Sequence, residues 1–213
     1  MGRIWRWREE EAGDFIQEAG RLLKAGAVLA LPTETFYALA VHPFKEEALA
    51  RLFALKERPE DKPVLILVAG AEMLPQVARA VPEAAKKLMA RFWPGPLTII
   101  FPARENLPRL LTGSTGAIAV RQPRQDVTLR LLAALGFPMT GTSANRSGRP
   151  ALATAAEVAA EFGEAVELIL DAGPCPGGLP SSIVDASGAP PRLVRPGAIP
   201  AARLQEVIGD LLF

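Results

Sequence analysis

The segment AVLALPTETFY, residues 27–37, contains an apolar run that ends abruptly in two threonines and a glutamate. A short apolar run bounded in this way predicts a buried strand over residues 28–31. Thr33, Glu34 and Thr35 would then lie at the end of that strand, where open α/β sheets bind ligands. Thr-x-Thr patterns also occur in ordinary turns and at helix N-termini, so a structural role for these residues stays open at this point.

Predicted helices and strands alternate on both sides of this segment. Residues 10–25 place apolar side chains on one helical face, and Gly26 follows where a left-handed cap is expected. Further helices are predicted at 45–57, 82–93, 127–135, 154–162 and 200–212, and further strands at 64–69, 97–101, 117–121, 138–142, 166–171, 182–185 and 192–195. We therefore expect a single α/β domain over residues 1–213, with an open, twisted, mixed sheet and helices on both of its faces.

The composition excludes several familiar classes of site. The chain has one cysteine, Cys175, and one histidine, His42, so it contains no disulfide framework, no Cys/His zinc cluster and no Ser-His-Asp triad. The net charge is +1 and the pI is about 7.9, whereas a dedicated nucleic-acid-binding domain typically has a pI above ~9. Any anion-binding site must therefore be a local feature.

The sequence also gives expectations about location. The longest apolar runs, residues 27–31 and 64–69, are much shorter than the ~20 residues that a membrane-spanning helix needs. The basic residues near the N-terminus lead into Glu9-Glu10-Glu11 rather than into an apolar run. We therefore expect a cytoplasmic protein with no signal peptide and no contact with a membrane.

Several cations surround the end of the second predicted helix. Lys56-Glu57-Arg58 closes that helix, and Lys62 precedes the next strand. These cations are suited to bind polyphosphate oxygens, because arginine offers a bidentate fork and lysine a mobile point charge. Cations are also favoured in a last helical turn simply by the helix dipole, so this reading remains open as well.

The most unusual segment is TGTSANRSG, residues 140–148, in which a strand runs into a turn rich in hydroxyl groups and glycine. Glycines allow backbone N–H groups to approach a ligand closely, as they do in phosphate-binding loops. The chain has only six serines, and Ser143, Ser147, Ser181 and Ser182 fall within two loops. This concentration favours a phosphate-binding role over a plain polar turn.

Two arginines end predicted strands next to proline. Arg121 lies in Ala-Val-Arg-Gln-Pro and Arg195 in Leu-Val-Arg-Pro-Gly, so each guanidinium emerges where a strand meets a turn. Either side chain could bind a ligand or pair with a surface carboxylate. Trp93-Pro94-Gly95-Pro96 is interpreted as a rigid structural turn, and His42 and Cys175 as structural or incidental residues.

Together these segments resemble the YrdC-like (Sua/YciO/YrdC) family of threonylcarbamoyl-AMP synthases. The resemblance extends from residue 32 to residue 197 in the family's order. Its motifs are Pro32-Thr33-Glu34-Thr35-x-Tyr37, Lys56-x-Arg58, Lys62-Pro63, Trp93-Pro94-Gly95-Pro96-Leu97-Thr98, Val120-Arg121-x-Pro123, Thr142-Ser143-Ala144-Asn145-x-Ser147-Gly148 and Arg195-Pro196-Gly197. Among the members of this family, the chain is similar to the short, single-domain type.

The resemblance implies an enzyme that joins L-threonine, bicarbonate and ATP into threonylcarbamoyl-AMP and pyrophosphate. The product would supply the threonylcarbamoyl modification of an adenosine in tRNA through downstream transfer proteins. The implied fold contains a large, concave, basic cavity. Mg²⁺ would accompany ATP without direct ligation by the protein, and Glu34 is a candidate outer-shell partner of that ion.

The resemblance also implies roles for individual residues. The implied catalytic set is Lys56, Arg58, Ser143 and Asn145, with Asn145 orienting the phosphate loop. ATP would be bound by Lys56, Arg58, Thr115, Ser143, Asn145 and Arg195, and threonine by Thr33, Thr35, Arg121 and Ser181. A histidine base is not required, because a threonine carbamate is already an anionic nucleophile and its attack needs mainly positioning and charge neutralisation.

The chain departs from the family pattern at three places. Family members usually have glycine where this chain has Ala38, and histidine where it has Leu67 and within Arg124-Gln125-Asp126. Since the histidine replaced by Leu67 lies near threonine in the family, a related carbamoyl-adenylate enzyme with another substrate remains an alternative. A module of the same fold that binds double-stranded RNA or tRNA through phosphate contacts is a second alternative.

Overall fold

The computed structural model describes residues 2–113 and 115–213, which form eleven strands and seven α-helices. The strands are β1 (Arg3–Arg6), β2 (Leu29–Leu31), β3 (Ala38–Ala40), β4 (Ile66–Leu67), β5 (Leu97–Pro102), β6 (Ala117–Arg121), β7 (Met139–Thr140), β8 (Thr142–Ser143), β9 (Leu168–Asp171), β10 (Ser182–Asp185) and β11 (Arg192–Arg195). The helices are α1 (Ala12–Lys24), α2 (Glu46–Lys56), α3 (Glu83–Phe92), α4 (Arg109–Thr112), α5 (Asp126–Leu135), α6 (Ala155–Phe162) and α7 (Ala201–Ile208). None of the described helices combines the length and the apolar character that a bilayer crossing requires.

The strands form two mixed sheets. The five-stranded sheet has the order β1-β9-β2-β3-β8, in which β1, β9 and β2 are parallel and β3 and β8 are antiparallel to their neighbours. The six-stranded sheet has the order β11-β10-β5-β6-β4-β7, with parallel pairing of β10 with β5 and of β4 with β6. The predicted mixed α/β class is confirmed, but the prediction of one sheet is wrong.

The chain passes between the two sheets after β3, β7 and β9, and the passage after β7 is the shortest. Residues 138–142, predicted as a single strand, form β7 in the six-stranded sheet and β8 in the five-stranded sheet, with Gly141 between them. Gly141 donates its N–H to the carbonyl of Leu65 at 2.7 Å. Thr140 forms hydrogen bonds with the backbone of Val41, which directly follows β3 of the other sheet. A Cβ atom on Gly141 would lie only 2.4 Å from Cγ of Leu67. The crossing therefore requires glycine as long as Leu67 stays in place.

Both faces of the five-stranded sheet are buried at its central strand, β2. Leu29 and Leu31 of β2 pack in one apolar core with Phe15 of α1, whereas Val28 and Ala30 belong to a second core. This arrangement follows from the alternation of side chains along a strand. Full burial of a side chain such as Phe15 stabilises the fold by roughly 1.5–3 kcal/mol. Helix α1 also contacts α5, which completes this layer.

Most predicted elements are present, with shifts of a few residues at their ends. Gly26 has the expected positive φ of 87°, and α6 begins with a capping box between Thr154 and Glu157. The predicted strand at 64–69 shrinks to β4, and the helix at 200–212 ends at Ile208. The strands β1 and β3 were not predicted.

Candidate active site

A cavity of about 560 Å³ lies where the two sheets meet. One side of its wall comes from the five-stranded sheet and the loop before β3, and the other from the six-stranded sheet. The polar residues on the wall are Thr33, Thr35, Arg58, Thr98, Arg121, Thr142, Ser143, Ser181 and Arg195. Among the described residues that line it there are three arginines and no carboxylate. Such a wall favours an anionic ligand.

The loop after β2 is folded around Thr33. The Thr33 hydroxyl accepts the N–H groups of Thr35 and Phe36 at 3.2 and 3.3 Å and lies 2.7 Å from the carbonyl of Phe36, to which it donates. The hydroxyl of Thr35 lies 3.1 Å from that of Thr33. The Thr33 hydroxyl thus makes its hydrogen bonds mostly within its own turn. Thr35 places a second hydroxyl group from this loop on the cavity wall.

Arg121 lies at the end of β6 and is only 4% exposed. One of its terminal nitrogens is 3.6 Å from Glu34, which also accepts the backbone N–H of Arg124 at 2.9 Å. Burial lowers the pKa of the Arg121 guanidinium, the Glu34 carboxylate raises it, and Arg195 lowers it further. Nε of Arg121 has no partner among the described residues. A buried cation that lines the cavity is suited to hold a carboxylate.

Ser181 and Arg195 adjoin each other across the six-stranded sheet. Arg195 donates to the carbonyl of Ser181 from Nη2 at 2.7 Å and from Nε at 3.2 Å. This close approach depends on Gly197, because a Cβ atom there would lie 2.3 Å from the carbonyl oxygen of Pro180. The Arg-Pro-Gly motif therefore positions Arg195 at the cavity, where its Nη1 has no acceptor among the described residues.

Helix α2 ends at Lys56, and the left-handed backbone of its C-cap Glu57 (φ 51°) turns Arg58 toward the cavity. Arg58 donates to the carbonyls of Lys62 and Pro63 at 3.2 and 2.6 Å, which fixes its guanidinium on the wall. Burial lowers the pKa of Arg58, and Asp61 opposes that effect. The Glu57 carboxylate accepts from Arg146 at 2.6 Å. This turn is thereby attached to the loop at 142–149.

Lys56 is 2% exposed and does not lie on the cavity wall. Its ammonium group donates to the carbonyls of Ser143 at 2.5 Å and Asn145 at 2.6 Å, and its own carbonyl accepts the N–H of Ser147 at 2.9 Å. Burial, and to a lesser extent Arg58, lower the pKa of Lys56 to about 8. Lys56 therefore connects the end of α2 to the loop that carries Ser143.

Asn145 closes that loop on itself. Its amide nitrogen donates to the carbonyls of Arg146 and Arg149 at 2.9 and 2.6 Å, and its side-chain oxygen accepts from the hydroxyl of Ser143 at 2.5 Å. Ser143 lines the cavity, whereas Asn145 does not. The two predicted segments, Lys56-Glu57-Arg58 and Ser143-Ala144-Asn145, are thus in direct contact.

Other sequence-based expectations fall outside this arrangement. Thr115 is exposed, donates to the carbonyl of Thr112 at 2.7 Å, and is not among the residues that line the cavity. His42 stacks on Phe137 with ring centroids 4.4 Å apart. In residues 2–113 and 115–213, no group of three or more His, Cys, Asp or Glu side chains is placed to bind a metal ion.

Thr98 is the site residue that sequence reasoning missed. It lies on β5, is 1% exposed and lines the cavity beside Ser181. The motif that contains it was interpreted as a structural turn. The available signal was a lone hydroxyl residue in the otherwise apolar run Leu97-Thr98-Ile99-Ile100-Phe101.

Comparison with known proteins identifies relatives of this chain. The Sua5/YciO/YrdC family model, described as telomere recombination, matches residues 21–197. The threonylcarbamoyl-AMP synthase of Pyrococcus abyssi is 39% identical over 209 residues, which is 98% of this chain and 59% of that protein. The enzyme of Bacillus subtilis is 34% identical, over 92% of this chain and 57% of its own length. A putative threonylcarbamoyl-AMP synthase of Mycobacterium tuberculosis H37Rv is 34% identical, over 94% of this chain and 92% of that protein.

Solved structures agree with these matches. Sua5 of P. abyssi complexed with L-threonine superimposes with a TM-score of 0.92 at 38% identity, covering 100% of this chain and 62% of that one. YciO of Escherichia coli gives a TM-score of 0.83 at 25% identity, covering 93% and 97% of the two chains. The chain thus spans 59% and 57% of the first two relatives, and the whole of its own length has the fold of Sua5. With the family model matching residues 21–197, this chain belongs to the Sua5/YciO/YrdC family.

Proposed function

We propose that this protein is an L-threonylcarbamoyladenylate synthase, a nucleotidyltransferase that uses L-threonine, bicarbonate and ATP. The observation that carries the proposal is the cavity wall with three arginines, six threonine or serine residues beside them and, among the described residues, no carboxylate. Its volume of about 560 Å³ lies within the ~300–1,000 Å³ typical of ligand sites. The relatives named threonylcarbamoyl-AMP synthase support the same assignment.

The proposed chemistry forms and breaks bonds in two stages. The threonine amine and bicarbonate combine to a carbamate with loss of water. A carbamate oxygen then attacks the α-phosphorus of ATP, and the bond to the β-phosphate oxygen breaks to release pyrophosphate. Both reactants of the second stage are anionic, so catalysis depends on positioning and on neutralising charge. The wall provides positive charge in Arg58, Arg121 and Arg195.

We assign the ATP half of the cavity to Arg58, Ser143 and Arg195. Arg58 and Arg195 each use part of their guanidinium on backbone carbonyls, which leaves Nη1 of each without a protein acceptor among the described residues. Lys56 and Asn145 act by holding the loop that carries Ser143. The contacts of Lys56 and Thr115 with ATP that the sequence predicts remain predictions.

The amino-acid half is assigned to Thr33, Thr35, Arg121 and Ser181. Arg121 would bind the threonine carboxylate, because it is a buried cation that lines the cavity. Leu67 is fully buried with its side chain against Gly141, so it presents no polar group here. This feature supports testing another amino acid as the substrate.

Mg²⁺ would accompany ATP and supply neutralising charge without direct protein ligands, which suits a wall without carboxylates among the described residues. Glu34 is a poor candidate for an outer-shell partner of this ion. Its Oε2 accepts the Arg124 N–H and adjoins Arg121, its Oε1 is buried, and Glu34 does not line the cavity. We further infer that the product serves tRNA modification in the cytoplasm, through transfer proteins that receive threonylcarbamoyl-AMP. Direct binding of tRNA or double-stranded RNA is a separate possibility that salt-dependent binding would test.

The deciding experiment measures pyrophosphate release from ATP and Mg²⁺ with and without L-threonine and bicarbonate. Release that needs both, with threonylcarbamoyl-AMP detected by mass spectrometry, is the expected result. Arg58→Met should lose most of the activity, while Arg6→Met, which alters an exposed arginine on β1, should keep it. Folded wild-type protein without such release would refute the proposal. Equal rates with serine or valine would instead identify another amino-acid substrate.

A further inference from the structure

Two buried hydroxyl groups share one hydrogen bond on the cavity wall. The oxygens of Thr98 and Ser181 are 2.9 Å apart, and their residues are 1% and 3% exposed. Arg195 donates from Nη2 to the Ser181 hydroxyl oxygen at 3.2 Å. Because the guanidinium has no acceptor, this contact fixes Ser181 as the acceptor and occupies one of its lone pairs.

Counting protons shows what this pair can offer. Two hydroxyl protons are available, and the contact between Thr98 and Ser181 uses one of them. Neither hydroxyl has a further acceptor in the part of the chain that the structure describes. When Thr98 donates, Ser181 accepts from both Thr98 and Arg195, and its own proton is left to point away from both donors. The adjacent cation strengthens this O–H as a donor.

Packing alone does not account for a threonine at position 98. Its neighbours Leu97 and Ile99 are fully buried in the apolar core, and the alternation of a strand directs Thr98 to the opposite face, where it lines the cavity. Valine has the same shape and suits a strand equally well. The hydroxyl group is therefore the feature to be explained, and its partner is Ser181.

We propose that Thr98 is a positioning residue for the amino-acid substrate, directing the hydroxyl proton of Ser181 toward the substrate's carboxylate. This inference rests on the proposed synthase function. A carboxylate is the anion that fits, because Arg121 lies on the same wall and is close enough to Arg195 for their charges to interact. Arg121 and Ser181 then provide a cation and a neutral donor to one carboxylate.

The test compares Thr98→Val with Thr98→Ser, which keeps the hydroxyl group. Thr98→Val should raise KM for L-threonine about tenfold, as expected when one hydrogen bond to a charged group is weakened. KM for ATP should change less than twofold, and Thr98→Ser should behave as wild type. Ser181→Ala and the double variant with Thr98→Val should have equal KM values for threonine, because Thr98 acts only through Ser181.

Several outcomes overturn the inference. The inference about Thr98 is refuted if KM for threonine is unchanged in Thr98→Val. It is also refuted if the effects of Thr98→Val and Ser181→Ala on that KM are additive. In both cases active wild-type enzyme leaves the proposed synthase function intact. Wild-type protein that neither binds threonine nor releases pyrophosphate refutes both. If Thr98→Val does not fold, Thr98→Ala removes the same hydroxyl and gives the same comparison.

Discussion

Replacement of Lys56 by methionine tests whether this buried ammonium holds the Ser143 loop. The folded protein lowers the pKa of Lys56 from 10.5 to about 8. Between these values the unfolded chain binds more protons than the folded one, so stability rises with pH. Each pKa unit corresponds to about 1.4 kcal/mol. Wild-type protein should therefore gain about 3 kcal/mol over Lys56→Met from pH 7 to pH 10.5, and lose it as pH falls through 8.

The assay is urea unfolding of both proteins at several pH values, with the difference between the two free energies plotted against pH. Taking the difference cancels the titration of Tyr37 and Cys175, whose pKa values are raised mainly by burial. Lys87→Met, which alters an exposed lysine of α3, is the matched control and should give a flat difference. A flat difference for Lys56→Met as well would refute the placement of a buried charge at this position.

Binding of ATP separates the two roles considered for Lys56. A neutral amine keeps two N–H donors, which is enough for the carbonyls of Ser143 and Asn145. If Lys56 only holds the loop, the Kd for ATP should change little between pH 7 and pH 9. If its positive charge contacts phosphate, affinity should fall above pH 8 in wild type and not in Lys56→Met. The second result would overturn the positioning role.

Three further substitutions or probes test other parts of the structure. Gly141→Ala should lower the free energy of unfolding by about 1–3 kcal/mol in urea denaturation, because the new Cβ meets Leu67. The double variant with Leu67→Ala should lose less free energy of unfolding than the two single variants together. Additive losses would contradict the contact between positions 141 and 67. Asn145→Asp removes the two amide N–H donors that close its loop, and it should weaken ATP binding about tenfold. The control variant Asn106→Asp alters an exposed asparagine and should leave ATP binding unchanged. Cys175 is buried, and burial raises its pKa to about 11. The thiol of the folded protein should therefore react slowly with a thiol reagent at pH 8. Rapid labelling would show that Cys175 is not buried.

The local elements were predictable because their signals are local. The bounds predicted for β6, β10 and β11 match those observed, since each is a short apolar or alternating run with glycine or proline within two positions of one end. β1 was missed because Arg3-Ile4-Trp5-Arg6 is mostly exposed, and it is paired by a strand more than 160 positions away. Division into two sheets depends on such distant pairings. A sequence pattern with period two does not encode them.

The candidate site was recognisable where its composition is unusual. The segments around Thr35 and Ser143 combine hydroxyl groups and turn residues after apolar strands, and they do meet at the cavity. The direction of Lys56 could not be predicted, because a lysine in a last helical turn has the same sequence pattern whether it faces ligand or backbone. Thr98 was missed because its partner, Ser181, lies 83 positions further along the chain.

The passage of the chain from one sheet to the other at Gly141 has a consequence for cooperativity. Since the cavity wall comes from both sheets, a chain with only one sheet formed offers no complete binding site. A ligand that fills the cavity therefore stabilises only the state in which both sheets are intact. Saturating ATP should merge the opening of the two sheets into one event, seen as equal slowing of amide exchange in β3 and β6.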